Sequence, residues 1–187
     1  MILGENIRFR AIEREDLPYF VRWLNDPEVR QGLTMRYPLS LAEEEEWFAS
    51  MINRPPEDRP MAIEIQPNPK KDAWEFVGNC GFISTDWESR AAEFGIHIGE
   101  KKYWDQGYGT KAVQLLLKHG FDSLNLHRIY LRVFESNQRA IHSYQKAGFT
   151  LEGKMREAHY MDGKYIDVLL MSILQPEWRE ENERKGL

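Results

Sequence analysis

The chain has 187 residues, 42% hydrophobic and 29% charged, with a formal net charge of −5 and one cysteine. That length suits a single domain with a sizeable core, and the composition excludes a disordered chain, a collagen-like repeat and a coiled coil. The acidic balance argues against a non-specific nucleic-acid binder while tolerating cationic partners such as amines. No apolar run approaches the roughly 18 residues of a membrane helix, MILGENIRFR lacks an export signal, and the lone Cys80 fits a reducing compartment. A cytoplasmic domain without a membrane partner is therefore expected.

Ile7 to Ala11 alternates as a half-buried strand does. Glu15 and Asp16 favour the first turn of a helix whose Leu17, Phe20, Val21 and Leu24 recur at helical spacing, and Asn25-Asp26-Pro27 stops it. Ser40 with Glu43 reads as a capping box for a helix carrying Trp47, Phe48, Met51 and Ile52 on one face. The acidic run Glu43 to Glu46 reads as its solvated first turn. Strand patterns follow at Met61–Ile65, Trp74–Thr85, Ala92–Ile98, Arg128–Phe134, Thr150–Tyr160 and Tyr165–Leu174, the last two joined by an Asp162-Gly163 hairpin signal. Helices are expected over about Gly107 to Phe121 and Gln138 to Ala147, the second ending at Gly148 in the C′ position. The expectation is an α+β domain over 1–175, with about seven strands, mostly antiparallel, flanked by four to five helices. A charged tail over 176–187 is expected to fray.

The segment Trp104-Asp105-Gln106-Gly107-Tyr108-Gly109-Thr110 lies between a strand and a helix. Glycines there remove the Cβ atoms that keep a ligand from the backbone. The first helical N–H groups have no internal partner, so a diphosphate is a natural occupant. From these residues alone, a plain glycine turn explains the segment equally well. A dinucleotide fingerprint does not, because no second βαβ half follows, and the Gly-Lys-Ser/Thr of a Walker loop is absent.

After the strand Arg128–Phe134 comes Asn137-Gln138-Arg139-Ala140-Ile141-His142-Ser143-Tyr144-Gln145-Lys146-Ala147-Gly148-Phe149. Paired with the upstream glycine turn, it resembles the GNAT superfamily of acetyl-CoA-dependent N-acetyltransferases, and the resemblance covers nearly the whole chain. Arg8-Phe9-Arg10, Trp23-Leu24-Asn25-Asp26-Pro27, Val77-Gly78-Asn79-Cys80-Gly81 and Glu93-Phe94-Gly95-Ile96 look like the branch acetylating ribosomal-protein N-termini. Phe121 to Gly153 also looks like the spermidine N-acetyltransferases. The resemblance implies acetyl-CoA as cosubstrate and a primary amine as acceptor, a protein N-terminus first, with a polyamine or amino sugar as the alternative. A non-catalytic acetyl-CoA-binding module is the rival of another class, and a homodimer is common among such look-alikes.

The resemblance places the CoA diphosphate over Gly107, Tyr108, Gly109, Thr110 and Lys111. Trp104 stands where the superfamily has Gln or Arg, and Gln106 is expected to add a polar contact. Backbone groups of Ile96 to Ile98 are implied for the pantetheine arm. Asn137 is expected on the cofactor chain, where it also reads as a helix N-cap, and Lys146 or Arg139 at the 3′-phosphate. Tyr144 shares the inner helix face with Ile141 and is the proton donor to the departing thiolate, or else a core aromatic. Glu93 shares a strand face with Gly95 and His97, opposite Phe94, Ile96 and Ile98, and is the expected base, with His97 as the alternative. Cys80 reads as a buried small hydrophobe, Trp23, Trp47 and Trp74 as core or pocket wall, and the histidine spacing does not suggest a metal.

Overall fold

The structure is a computed structural model that describes residues 1–185. Among them, eight strands form one sheet in the order β1-β2-β3-β4-β5-β6-β8-β7. The strands are β1 (Ile2–Gly4), β2 (Ile7–Ala11), β3 (Met61–Ile65), β4 (Glu75–Asp86), β5 (Ala91–Ile98), β6 (Arg128–Phe134), β7 (Thr150–Met161) and β8 (Lys164–Leu174). The helices are α1 (Leu17–Leu24), α2 (Pro27–Arg30), α3 (Leu41–Met51), α4 (Tyr108–Lys118), α5 (Gln138–Lys146) and α6 (Gln175–Lys185). Every neighbouring strand pair is antiparallel except β5 with β6.

The period of two in β6 decides what each face of the sheet meets. Ile129, Leu131 and Val133 join the main core with Phe82, Phe94 and Met171, under α4 and α5. On the other side of the sheet, Leu17, Phe20 and Trp23 of α1 and Met51 of α3 pack over Ala62 and Phe76 in a second cluster. Both capping residues read from the sequence act as expected. Ser40 Oγ accepts from the Glu43 amide while the Glu43 carboxylate accepts from the Ser40 amide, and Asn137 Oδ1 accepts from the Ala140 amide at 3.2 Å. Gly148 sits at φ +98°, the left-handed C′ conformation.

Several expectations need correction. The eighth strand, β1, is three residues long, too short for a period to show. Pro27 stops α1 and also opens the one-turn helix α2. Residues 176–185, expected to fray, belong to α6, anchored by the buried Trp178 whose ring lies 5.9 Å from that of Phe121. Glu44, expected in a solvated turn, is only 5% exposed, whereas Ile52, expected on the inner face, is 67% exposed. Helix α3 is rotated so that Glu44 rather than Ile52 shares the side of Trp47 and Phe48.

The parallel pair β5/β6 positions the site. It is in register only at Ala91↔Arg128, Ala92↔Ile129 and Glu93↔Tyr130. Beyond that point β5 stays with β4, pairing His97 with Asn79. Strand β6 stays with β8, pairing Val133 with Leu169. The two strands therefore splay, and their facing backbone edges are left without each other.

Candidate active site

The splay opens into a cleft of about 1330 Å³ that reaches both sheet faces. A site for one drug-sized ligand is about 300–1,000 Å³, so this cleft has room for a cofactor arm and an acceptor together. Glu93, Ile96, Ile98, Gly107, Gly109, Asn137, Arg139 and Tyr144 all border it, as do His97 and Trp104. Gln106, Tyr108, Thr110, Lys111 and Lys146 are not among its bordering residues. The Gln106 amide donates to the Lys102 carbonyl, Tyr108 packs on Tyr103, and Lys146 lies exposed in the last turn of α5.

Gly107 caps α4 at φ +83°, and no side chain caps the helix there. A Cβ at Gly107 would meet nothing within 4 Å, and one at Gly109 would meet only Ser143 Oγ at 4.0 Å. The Lys111 amide is spent on the Gly107 carbonyl, so the amides before it are the donors a helix start leaves free. Bared amides, the helix dipole and open space together fit a diphosphate.

Tyr144 reaches the cleft from the inner face of α5, as its spacing predicts. Its ring is wedged between Phe94, edge-on at 5.8 Å, and Phe149 at 5.9 Å. It is 9% exposed, and burial pushes its hydroxyl up to about 12, so it stays protonated at neutral pH. That hydroxyl makes no hydrogen bond with the described residues, yet it is not sealed, as Trp23 Nε1 and His97 Nε2 are. A protonated, unspent donor thus opens on the strand junction.

Glu93 projects on the His97 side of the sheet, as expected, while Phe94 enters the main core. Sequence reasoning missed its partner. Arg132 grips the carboxylate as a fork, Nε to Oε1 at 2.8 Å and Nη2 to Oε2 at 3.2 Å. Only the parallel register that sets Glu93 beside Tyr130 brings these residues together. His97 packs against Phe20 and Trp23, and burial pushes its imidazole down to about 4. Cys80 is the expected buried hydrophobe, with burial pushing its thiol well up. The stack of Phe134 on His159 at 4.8 Å also borders the cleft and was not foreseen.

A splayed parallel pair, a glycine-capped helix and a tyrosine at the junction are the parts of this cleft, and comparison with known proteins makes the chain an acyltransferase. The family model for the acetyltransferase (GNAT) domain matches residues 6–150, and the chain belongs to that family. It is an acetyl-CoA-dependent N-acetyltransferase. It is 32% identical to the uncharacterized N-acetyltransferase p20 of Bacillus licheniformis, covering 93% of this chain and 96% of that protein. It is 31% identical to the spermidine N(1)-acetyltransferase of Vibrio cholerae, covering 97% of this chain and all of that one. The crystal structure of the Vibrio cholerae spermidine N-acetyltransferase with CoA and spermine superposes with a TM-score of 0.83 at 28% identity, over 94% of this chain and 99% of that one. No helix among the described residues is long and apolar enough to cross a membrane.

Proposed function

We propose that this enzyme acetylates a primary amine of a polyamine by direct transfer from acetyl-CoA in a ternary complex. The observation that carries the transfer chemistry is the unspent, burial-protonated Tyr144 hydroxyl facing the junction beside the bared amides of α4. The resemblance of segments between Arg8 and Ile96 to the ribosomal-protein branch favoured a protein N-terminus as acceptor. The relatives named spermidine acetyltransferases align over nearly their whole length and move the reading to a polyamine.

Acetyl-CoA supplies the activated thioester, and the chain supplies position and protons. The free amides at the start of α4, over Gly107, Tyr108, Gly109 and Thr110, hold the diphosphate, with Gln106 and the Lys111 side chain at their edge. The free backbone edge at Ile96 and Ile98 takes the pantetheine arm, and Asn137 adds a side-chain contact while capping α5. Lys146 meets the 3′-phosphate. Holding both substrates in one cleft supplies much of the rate.

The amine lone pair forms the new C–N bond as the C–S bond breaks, and one proton must pass from nitrogen to the leaving sulfur. A thiol has a pKa near 8.5, so outright donation from a hydroxyl at about 12 is uphill by about 5 kcal/mol. Tyr144 therefore hydrogen-bonds the departing sulfur and yields its proton only as the amine's proton replaces it. An alkylammonium, with a pKa near 10.4, must first lose a proton. Glu93, directly or through a water, draws that proton away, and Arg132 holds the carboxylate in place.

The test is to titrate the protein with acetyl-CoA and then follow thiol release with spermidine, spermine, amino sugars and peptides with free N-termini. Turnover fastest on polyamines is expected. Faster turnover on peptides restores the ribosomal-protein reading, and binding without turnover on any amine leaves a non-catalytic module.

A further inference from the structure

Arg139 lies in the first turn of α5 and makes no hydrogen bond or ion pair with the described residues. Its contact is with a ring: the guanidinium carbon sits 3.5 Å from the centroid of Trp104. The indole is itself fixed, because its Nε1–H donates to the Ile98 carbonyl at 2.7 Å and its body packs against the second cluster. Trp104 follows β5 and Arg139 follows β6, so the stacked pair joins the two lips of the splay, and both side chains border the cleft. A guanidinium held over an aromatic face can keep its N–H groups free for a ligand, and those of Arg139 make no hydrogen bond with the described residues.

Helical spacing then fixes which part of the cofactor this charge meets. Arg139, Ser143 and Lys146 lie at i, i+4 and i+7 on one stripe of α5. Ser143 is the residue that faces Gly109, its Oγ 4.0 Å from where a Cβ would stand. Arg139 lies about one turn, roughly 5.4 Å, from that contact on the cleft side, while Lys146 lies on the other side and does not border the cleft. Resting on the reading of the cleft as the acetyl-CoA site, we infer that Arg139, positioned by Trp104, is the counter-charge for the CoA diphosphate and not for the 3′-phosphate. Trp104 is the positioning residue: it carries no charge, and it holds the cation where the first amides of α4 converge.

The test measures dissociation constants for three probes: CoA, 3′-dephospho-CoA and S-acetylpantetheine. Arg139→Gln is expected to weaken CoA and 3′-dephospho-CoA alike, by about tenfold, and to leave S-acetylpantetheine within about twofold. Trp104→Leu is expected to show the same pattern at about three- to fivefold, with Arg139→Lys between wild type and Arg139→Gln because an ammonium cannot stack as a plane. Lys146→Gln is expected to weaken CoA alone. Arg139 is exposed, so its glutamine variant leaves the core intact. Trp104→Phe, which retains the stacking face, is the second variant should Trp104→Leu fail to fold.

A loss in Arg139→Gln that vanishes with 3′-dephospho-CoA overturns the inference, because the charge then serves the 3′-phosphate. An equal loss on S-acetylpantetheine, or no loss on any probe, overturns it as well. Wild-type protein that binds none of the three overturns the acetyl-CoA reading itself, a separate failure.

Discussion

The two faces of the sheet are built by different rules. Under α4 and α5 the buried side chains are almost all apolar, and the buried Tyr144 opens its hydroxyl onto the cleft. Under α1 and α3 the buried Asp16 and Glu64 are ion-paired with Arg8 and Arg10, but other polar groups are buried without partners. Trp23 Nε1 and His97 Nε2, the two sealed side-chain atoms lacking a hydrogen bond among the described residues, belong to rings 6.0 Å apart. Gly99 makes that crowding possible, since a Cβ there would stand 2.1 Å from the Trp23 ring. Nearby on α3, Glu44 is buried with no ion pair or side-chain hydrogen bond among the described residues, and burial pushes its carboxyl up to about 7. An unpaired buried polar group costs about 1–3 kcal/mol. The cofactor face is thus optimised as a scaffold, whereas the other face tolerates unfavourable burial.

The largest expected effect tests the cofactor face. Tyr144→Phe keeps the ring between Phe94 and Phe149 and removes only the hydroxyl. Turnover is expected to fall on the order of a thousandfold, while acetyl-CoA affinity and thermal stability stay close to wild type. Steady-state kinetics beside a binding titration check this. Unchanged kcat returns Tyr144 to the core and leaves that face with no catalytic group.

Next in size is the opposite face. Glu44 takes up a proton more readily in the folded chain than unfolded, its carboxyl rising from 4.5 to about 7. Its contribution to stability is present below pH 4.5 and is lost as pH rises through about 7. His97 runs the other way: its imidazole falls from 6.5 to about 4, so its contribution is present above pH 6.5 and is lost as pH falls through about 4. From pH 4.5 to 6.5 the two slopes oppose each other, and together they contribute little pH dependence there. Glu44→Gln is expected to expose the rising His97 slope and to stabilise the fold at pH 8 by up to about 3 kcal/mol. Denaturant unfolding across this pH range measures both, and parallel curves for variant and wild type would show that Glu44 does not titrate as a buried group.

The same contrast explains what the sequence could show. Ser40 with Glu43, Asn137, Gly148 and Gly107 act within a few residues of themselves, so their spacing alone places the helix ends. The alternation of Ile129, Leu131 and Val133 likewise names the core side of β6. Glu44 was misread because four consecutive glutamates hide the helix phase, and the packing of α3 on α1 decides which one is buried. The Glu93–Arg132 pair spans 39 positions and depends on a three-residue parallel register, which no local pattern encodes. Trp104 looked like a minor departure from the superfamily pattern until α5 placed a cation on its ring.

Glu93 stands where the two faces meet, and its replacement gives a smaller, pH-dependent effect. Glu93→Gln keeps the shape and weakens the grip of Arg132. Activity at pH 7, where the acceptor amine is mostly ammonium, is expected to fall about tenfold, below the roughly hundredfold lower end for a general base, because water still takes up the proton. At pH 9 a larger fraction of amine is already neutral, so the deficit is expected to shrink to about threefold. An equal deficit at both pH values would sink the proton-accepting role and leave the Glu93–Arg132 pair as a strut of the strand junction.

Asn137 offers the smallest and sharpest test, because one side chain serves the scaffold and the cleft with different atoms. Oδ1 caps α5. Nδ2 faces the loop after α2, where a Cβ on Gly32 would lie only 2.7 Å from it. Asn137→Ala removes both atoms and is expected to cost about 1 kcal/mol of stability. Asn137→Ser retains a capping oxygen and removes the amide nitrogen, so stability is expected to stay within about 0.5 kcal/mol. Affinity for acetyl-CoA is expected to fall about threefold in both, read by titration, if Nδ2 contacts the cofactor. Wild-type affinity in Asn137→Ser would confine Asn137 to its cap and leave ligand contact on this lip of the cleft to Arg139 and Tyr144.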